Sequence, residues 1–242
     1  MKTGPLTCPP PISPDEIRAT AQRFEAASPQ RILVWAVEHY WPAIAMSSSF
    51  QSQSLVLLHM VKLVAPTMPI LFLDTGYHFP ETLAFRQQLA EEWGLTVYDV
   101  RPALNSAQQA ALYGPDLPHR DPDWCCELNK VRPLQATLTG LLAWVTGIRR
   151  DQTPERAQAA ILELQPSGLL KINPLLNWTK KQIWQYIHDH NLPTHPLLEK
   201  GYLSIGCAPC TRPIHAGEDE RAGRWAGTAK TECGLHTTPH TL

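Results

Sequence analysis

Cysteine is the residue type in this sequence whose spacing most directly suggests chemistry. Cys125 and Cys126 are adjacent, Cys207 and Cys210 form a Cys-x-x-Cys pair, and Cys233 stands in the C-terminal run KTECGLH. Thiolates are ligands for soft metals and are also strong nucleophiles. We therefore interpret the two pairs as a four-thiol metal site and Cys233 as a nucleophile. The sixth cysteine, near the start of the chain, is interpreted as an incidental thiol.

The adjacent pair bears on which metal the four thiols would hold. Neighbouring side chains point apart on a helix or a strand, so structural zinc usually takes two separated pairs. A cubane iron–sulfur cluster spreads its irons over several ångströms, and adjacent thiolates on a distorted helix can then reach different irons. The pattern favours an iron–sulfur cluster, while a zinc site and structural or redox thiols stay open as alternatives.

Cationic side chains form the second group with a chemical use. Lys130 follows the adjacent cysteines by four to five residues on nearly the same helical face, so it is either solvated or placed between the thiolates and an anionic substrate. Arginine binds oxyanions through two parallel hydrogen bonds. Six arginines fall in predicted loops, and a cluster of them in a chain of net charge −1 suits a small dianion better than nucleic acid: Arg149, Arg150, Arg156, Arg212, Arg221 and Arg224.

The elements that would position these residues alternate between strands and helices. Apolar runs predict strands at 43–47, 69–73, 95–100 and 143–147, and a short extended piece at 171–176. Helix signals separate them, with capping residues and proline at several helix starts. Helices are predicted at 14–27, 29–40, 54–64, 80–93 and 106–113, around Cys125, and after Thr179. This alternation predicts a doubly wound, mostly parallel α/β sheet with a loop-rich C-terminal tail.

Polar residues follow the first two predicted strands. Ser47, Ser48 and Ser49 lie between a strand and a helix, an arrangement that presents backbone N–H groups to an anion. Asp74 and Thr75 follow the second strand. Because ligands of such sheets bind beyond the carboxyl ends of the strands, both stretches are candidate substrate-binding residues.

Bulk composition narrows the class of protein. With 43% hydrophobic and 18% charged residues, the 242-residue chain is expected to be globular. It contains no apolar run long enough to span a membrane. The proline-rich start lacks an apolar signal core, so we expect the cytoplasm, where thiols stay reduced. We predict a mobile tail at 1–12, an α/β domain at 13–215 and a mobile C-terminal segment at 216–242 that carries Cys233.

Seven motifs, in this order, resemble those of the sulfonucleotide reductases of sulfate assimilation, which act on adenosine 5′-phosphosulfate (APS) or its 3′-phosphorylated form (PAPS). They are SSSFQSQ at 47–53, LDTGYHFPET at 73–82, CCELNKVRPL at 125–134, TGIRRDQTPER at 146–156, GCAPCTRPI at 206–214, GEDERAGRW at 217–225 and KTECGLH at 230–236. The resemblance implies an adenine nucleotide α-hydrolase-like fold. It also implies that Cys233 attacks the sulfur of the phosphosulfate to form S-sulfocysteine, from which reduced thioredoxin or glutaredoxin releases sulfite.

The resemblance also implies roles for individual residues. Cys125, Cys126, Cys207 and Cys210 match the ligands of a [4Fe–4S] cluster that shapes the site without donating electrons. Lys130 matches a lysine that couples cluster and substrate, and Gly147 lines the nucleotide site. The phosphosulfate would be bound by arginines at three positions: Arg156, Arg221 and Arg224. No nucleic acid or membrane partner is expected, and the sequence leaves open whether the chain forms a homo-oligomer.

Some features depart from the family pattern or leave the substrate open. Asn129 stands where an arginine is frequent, and the run before Cys233 is shorter than in many APS reductases. The SSSFQSQ and DTGYHFPET motifs look more like PAPS reductases, whereas the four cysteines are typical of APS reductases. We predict an APS reductase, with PAPS or dual specificity as the alternative.

Two other functions stay in competition. An ATP-pyrophosphatase-type ligase on the same scaffold would usually carry an SGGxDS loop, whose glycines are missing from residues 47–52. A metal-dependent regulatory protein would not need Cys233.

Overall fold

Within residues 12–236, the part of the chain that the computed structural model describes, six strands form one sheet in the order β3-β2-β1-β4-β6-β5. All neighbouring strands are parallel except β5 and β6, which pair antiparallel at one edge. This confirms the doubly wound, mostly parallel α/β sheet. The strands are β1 Ile44–Ser47, β2 Ile70–Leu73, β3 Val97–Val100, β4 Ala143–Val145, β5 Leu162–Leu164 and β6 Leu170–Ile172.

The helices begin where the capping residues predict. Ser13, Ser28 and Asp121 each accept a hydrogen bond from the first turn of the helix that follows them, and proline occupies the first turn in all three. The α-helices of the described residues are α1 Pro14–Phe24, α2 Pro29–Tyr40, α3 Ser52–Val64, α4 Pro80–Trp93, α5 Ser106–Tyr113, α6 Leu117–Arg120, α7 Pro122–Cys126, α8 Arg132–Leu138, α9 Pro154–Ala157 and α10 Lys180–Asp189. A π-helix, Glu127–Val131, connects α7 to α8, and short 3₁₀ turns occur at Arg150–Gln152, Pro196–Lys200 and Ala208–Cys210.

The two faces of the sheet are covered unequally. Side chains of a strand alternate between faces, so Ile44 and Met46 enter the larger core cluster while Ala45 enters a smaller one. The larger core includes α3, which is buried on most of its circumference. The smaller core lies under α8, and Leu235 from the C-terminal segment packs against it. The C-terminal segment therefore helps to cover the sheet.

Several features differ from the sequence-based expectations. The antiparallel edge strand β5 and the single-turn helix α6 were not predicted, and α1 ends three residues earlier than expected. Most of the N-terminal tail at 1–12 lies outside the described residues, as do positions 237–242 of the C-terminal segment. Up to residue 236 this segment is seen docked, and its mobility stays a prediction. None of the helices between residues 12 and 236 is long and apolar enough to cross a bilayer.

Candidate active site

A cavity of about 160 Å³ lies beyond the carboxyl ends of β1, β2 and β4. Ser47, Ser48 and Ser49 line it from the loop between β1 and α3. The loop is fixed by its own side chains, because Ser48 Oγ accepts a hydrogen bond from the backbone N–H of Phe50 at 3.1 Å. Gly147, just beyond β4, forms another part of the wall. The cavity therefore lies where the alternation of strands and helices places a ligand.

The lining of this cavity is cationic. Described residues that line it include no Asp or Glu, whereas four of them carry a positive charge: Lys130, Arg156, Arg221 and Arg224. They converge from the π-helix, from α9 and from the loop-rich C-terminal segment. Cations in a partly enclosed site attract anions more strongly than on an open surface. The cavity is suited to a ligand that carries phosphate or sulfate groups.

Arg156 and Arg221 are held by a buried carboxylate of the C-terminal segment. The Glu232 oxygens lie 2.6 Å from Arg156 Nε and 2.8 Å from Arg156 Nη2, and Arg221 Nη2 lies 3.7 Å away. Burial alone would raise the pKa of Glu232, but the hydrogen bond and charge of Arg156, together with Arg221, lower it. Glu232 is therefore an ionised carboxylate held by two of the cavity's cations.

Arg224 is positioned by a close backbone approach. Its guanidinium lies over the Trp225 ring, 4.4 Å from the centroid, and donates a hydrogen bond to the Ile205 carbonyl at 3.2 Å. A Cβ on Gly206 would be 2.3 Å from Arg224 Nη2. Glycine at position 206 thus makes the room in which this guanidinium sits.

The other three loop arginines lie outside this cavity's lining. Arg150 makes two hydrogen bonds to Glu25, at 2.8 and 2.9 Å, and Arg212 makes a similar pair with Glu218. Arg149 is buried and contacts Asp151 at 2.8 Å. Their role in the described structure is to hold loops together, which residue type and a predicted loop position could not by themselves distinguish from anion binding.

The four paired cysteines come together beside the cavity. Cys125 and Cys126 end α7, and the π-helix that follows is the distortion that ligation from adjacent residues requires. Burial, followed by the charges of Cys126, Cys207 and Cys210, raises the pKa of Cys125 to about 12. Burial also raises the pKa of Cys126 to about 11. Without a metal these buried thiols would stay protonated.

The arrangement of these sulfurs differs from that of a single-ion site. No three or more His, Cys, Asp or Glu side chains between residues 12 and 236 are placed to hold one metal ion. A zinc ion draws four ligands to about 2.3 Å from one centre. A cubane cluster instead takes one thiolate at each of several irons, so its ligands stand farther apart. The candidate donor set is therefore four thiols, of which Cys125, Cys126 and Cys207 are buried and Cys210 is half-buried.

Neighbouring polar groups orient the cysteine sulfurs. Asn129 Nδ2 lies 3.5 Å from Cys125 Sγ and donates at 2.9 Å to the Cys125 carbonyl. Gln109 and Asn129 are both buried and exchange two amide hydrogen bonds, at 2.7 and 3.0 Å. Sequence reasoning noted Asn129 only as a departure from the family, and Gln109 carried no signal because its partner is 20 residues away.

Asp74 and Thr75 lie outside the cavity lining. Thr75 is buried, and its Oγ1 lies 3.3 Å from Cys207 Sγ. Asp74 forms an ion pair of 2.9 Å with Arg101. Their substrate-binding role stays a prediction, and the contacts seen tie Thr75 to the cysteine site.

Lys130 lies between the cysteine site and the cavity. Burial works to lower the pKa of Lys130, but where the sulfurs of Cys207, Cys126 and Cys233 are thiolates their charges outweigh burial and raise it. The side chain also lines the cavity. This is the position in which a cation would meet both an anionic cluster and an anionic ligand.

Cys233 reaches the same cavity from the docked C-terminal segment. It also lines a groove of about 1010 Å³ on the outer side, together with Asp123, Trp124 and Glu155. The Cys233 thiol therefore stands between an inner cationic cavity and an outer groove.

His236 is not a cationic partner for Cys233. The His236 ring stacks on Trp144, with 5.7 Å between centroids and 14° between planes. Burial, followed by the charges of Arg156, Lys171 and Arg221, lowers the pKa of His236 well below its usual value. A neutral ring cannot stabilise a thiolate by charge, so His236 would not activate Cys233 in this way.

Comparison with known proteins identifies what this arrangement resembles. A family profile described as the phosphoadenosine phosphosulfate reductase domain matches residues 43–213. The adenosine 5′-phosphosulfate reductase of Streptomyces coelicolor is 43% identical over 227 residues, which cover 92% of this chain and 95% of that protein. The phosphoadenosine 5′-phosphosulfate reductase of Gloeobacter violaceus is 44% identical over 220 residues, covering 89% and 91%.

Solved structures agree on the fold. The crystal structure of phosphoadenylyl-sulfate reductase from Candida auris superposes with a TM-score of 0.72 at 30% identity, covering 82% of this chain and 97% of that one. An FMN adenylyltransferase from Candida glabrata shares the fold alone, with a TM-score of 0.61 at 18% identity, covering 91% and 80%. The fold and the family match together favour a reductase over a ligase of the ATP-pyrophosphatase type.

Proposed function

This chain belongs to the sulfonucleotide reductase family, and on that premise we propose that it reduces APS to sulfite and AMP in sulfate assimilation. The observation that carries the proposal is the shared cavity. Cys233 lines it together with Lys130 and three arginines, so a nucleophile and an oxyanion site open onto one space. PAPS reduction by the same chemistry is the second candidate, since relatives named for each substrate match this chain about equally well.

The chemistry proceeds in three displacements at sulfur. The Cys233 thiolate attacks the sulfur of the phosphosulfate, an S–S bond forms, and the S–O bond to phosphate breaks to release AMP. One thiolate of a dithiol reductant then attacks Cys233 Sγ, which releases sulfite and leaves a mixed disulfide. The second thiol of the reductant displaces Cys233 and completes its own disulfide. The two electrons gained by the substrate sulfur come from this dithiol.

The cations bind and polarise the phosphosulfate. Arg156, Arg221 and Arg224 present N–H donors that match phosphate and sulfate oxygens. The same donors stabilise the negative charge that develops on the phosphate oxygen as AMP leaves. Ser48 and Ser49, before the first turn of α3, are suited to binding the nucleotide phosphate.

We assign a [4Fe–4S] cluster to Cys125, Cys126, Cys207 and Cys210. Three features support the assignment: the burial of Cys125, Cys126 and Cys207, the π-helix after the adjacent pair, and a donor set made only of thiols. Bound there, the cluster would hold the four sulfurs as thiolates and set the charge next to Lys130. Lys130 and Asn129 then act from the protein side, by charge and by an N–H donor to sulfur.

The reductant is proposed to be thioredoxin or glutaredoxin, small dithiol proteins. The outer groove next to Cys233 gives a reductant a side of approach that differs from the side of the nucleotide. Because the reaction depends on reduced thiols, we place it in the cytoplasm.

Product analysis with both nucleotides tests the proposal. Purified holoenzyme is mixed with APS or PAPS and reduced thioredoxin, and sulfite and the released nucleotide are measured. Sulfite from APS at the higher rate is expected. Equal rates would contradict the preference for APS, and no sulfite from either would overturn the proposed activity. Omission of thioredoxin should leave Cys233 heavier by one SO₃ group.

A further inference from the structure

Glu232, the residue before the nucleophile, has no part in the chemistry proposed above. Its side chain is buried. Besides the bonds from Arg156, the Glu232 carboxylate accepts a hydrogen bond from Thr153 Oγ1 at 3.0 Å and faces Arg221 at 3.7 Å. Three side chains of two other segments thus converge on this carboxylate.

The flanking contacts of the segment are weaker anchors. Lys230, whose own side chain is 8% exposed, pairs with Asp123, whose side chain is 83% exposed, and Thr231 donates to the exposed Glu155 at 3.1 Å. Exposed ion pairs contribute little to stability. A buried carboxylate, in contrast, costs free energy unless it is fully paired. Glu232 is therefore most favourable in the position where it meets Arg156 and Thr153. It is thus a buried, directional contact that helps to fix the register of the segment, beside the packing of Leu235 and the stacking of His236 on Trp144.

Arg156 and Arg221 are contacted from two different directions. Arg156 and Arg221 line the inner cavity, whereas Glu232 lines only the outer groove. Glu232 consequently contacts these guanidinium groups from behind and leaves cavity-facing surface for an oxyanion. It also holds the two cations at the wall, because a guanidinium paired on one side has less freedom to turn away.

We propose that Glu232 is a positioning residue that seats Cys233 against the substrate by anchoring its segment to Arg156 and Thr153. The proposal rests on the proposed function for the identity of the reaction. The phosphosulfate would contact Arg156 and Arg221 from the cavity, while Glu232 contacts them from the opposite side. Docking of Glu232 therefore brings the Cys233 thiol close to the sulfur of the bound phosphosulfate. Glu232 touches neither the substrate nor the reacting sulfur.

Removal of the Glu232 carboxylate should slow the first chemical step, the attack of Cys233 on the phosphosulfate. Without the carboxylate, Cys233 still has its thiol and the arginines still carry their charge, but the segment loses its register. Misplacement of a reacting group by about 1 Å can cost on the order of 100-fold in rate. Saturating substrate cannot restore this loss, because the missing element is the position of the nucleophile.

A single-turnover experiment tests this. Cluster-loaded Glu232→Ala, Glu232→Gln and wild-type protein are mixed with saturating APS in the absence of reductant, and S-sulfocysteine on the Cys233 peptide is followed by mass spectrometry. Glu232→Ala is expected to form the adduct about 100-fold more slowly. Glu232→Gln should be intermediate, because its amide oxygen still accepts hydrogen bonds from Thr153 and Arg156. Glu155→Gln, the same change at an exposed contact of the segment, should match wild type.

Two further readouts separate positioning from binding and from folding. In a Cys233→Ser background, the dissociation constant for APS should change far less than the adduct rate does. Hydrogen exchange at residues 229–236 should be faster in Glu232→Ala, while exchange in the sheet stays unchanged. A wild-type adduct rate in Glu232→Ala, or a slow rate that saturating APS restores, would overturn the positioning role. If the wild type forms no adduct from APS or PAPS, the proposed function fails instead, and the exchange data alone decide whether Glu232 docks the segment.

Discussion

The two sides of the cavity wall are built differently. One side is formed at the ends of strands, by Ser47, Ser48 and Gly147. The other side, which includes Arg221 and Cys233, comes from a segment with little regular structure. We call these the strand-end half and the C-terminal half of the wall. The first is held by apolar packing, since α3 and β1 lie in the main core. The second is held mainly by paired charges and hydrogen bonds.

Because the two halves are held differently, substitutions in them should affect different properties of the protein. Apolar burial is non-directional and is shared by many side chains, so changes in the strand-end half should alter the free energy of unfolding. Ion pairs between a short segment and the body fix a geometry while adding little net stability. Changes in the C-terminal half should therefore alter activity in a protein that stays folded.

Cys233→Ser should have the largest effect. We expect no detectable sulfite from APS or PAPS, because the hydroxyl is a much poorer nucleophile toward sulfur, while unfolding and the cluster absorbance stay as in wild type. Sulfite release and visible absorbance measure the two properties. Cys8→Ser is the control for loss of a thiol elsewhere. Retained sulfite release in Cys233→Ser would show that Cys233 is not the nucleophile and that the C-terminal half is structural.

Leu58→Ala tests the strand-end half. Leu58 lies in α3 and is fully buried, so its truncation should lower the free energy of unfolding by about 2–5 kcal/mol. The kcat of the folded fraction should not change. Leu63→Ala, on the same helix but 65% exposed, is the matched control and should be nearly neutral. Urea unfolding measures the stability and steady-state kinetics measures the activity. A fall in the activity of folded Leu58→Ala protein would contradict the view that the strand-end half affects stability alone.

Gly206→Ala tests the position of Arg224. The new Cβ would meet the guanidinium, which must then move away from the cavity wall. Loss of a hydrogen bond to a charged ligand costs about 1.5–3 kcal/mol, so the dissociation constant for APS should rise about 10- to 100-fold. Calorimetry in a Cys233→Ser background measures it. Gly206→Ala combined with Arg224→Gln should be no worse than Arg224→Gln alone, and fully additive losses would refute this explanation.

Asn129→Ala tests the junction between the two halves, where the cysteines lie. Removal of the amide leaves Gln109 without its partner, and we expect about 1–3 kcal/mol less stability together with faster loss of cluster absorbance. Replacement of both Gln109 and Asn129 by leucine should restore much of the stability, because no buried amide is then unpaired. Cluster loss should remain fast in the double variant, since the N–H donor to Cys125 Sγ is still missing.

His195 should give the smallest effect, a pH dependence of stability. Its ring bonds Thr82 of α4 at 3.0 Å, and burial lowers the pKa of His195 to about 4 from 6.5. The folded state binds this proton more weakly than the unfolded state does, so the stabilisation is complete above pH 6.5 and is lost as the pH falls toward 4. Unfolding midpoints should fall more steeply over this range in wild type than in His195→Gln. Equal slopes would show that protonation of His195 does not cause this pH dependence.

The local elements could be predicted well because their signals are local. Capping residues and apolar runs placed α2, α4, α5 and β1 to β4 to within a few residues, and the strand-end position of the cavity followed. The edge strand β5 was missed because three residues carry no periodicity, and it is a strand only through pairing with β6. The π-helix was anticipated only as a distortion that ligation from adjacent residues would require.

The sequence by itself determined the chemistry of this protein: a thiol nucleophile, four further paired thiols, oxyanion-binding arginines and a polar strand-end loop, in an order that resembles one family. The family resemblance selected Arg156, Arg221 and Arg224, and the tertiary structure gave the physical reason, because Arg150 and Arg156 differ not in type but in the carboxylates they meet. The tertiary structure alone decided that Glu232 holds Arg156 across 76 positions of chain. The type of a residue determines which chemistry its side chain is capable of. Whether the side chain performs that chemistry depends on its burial and its long-range partners, and these depend on the whole fold.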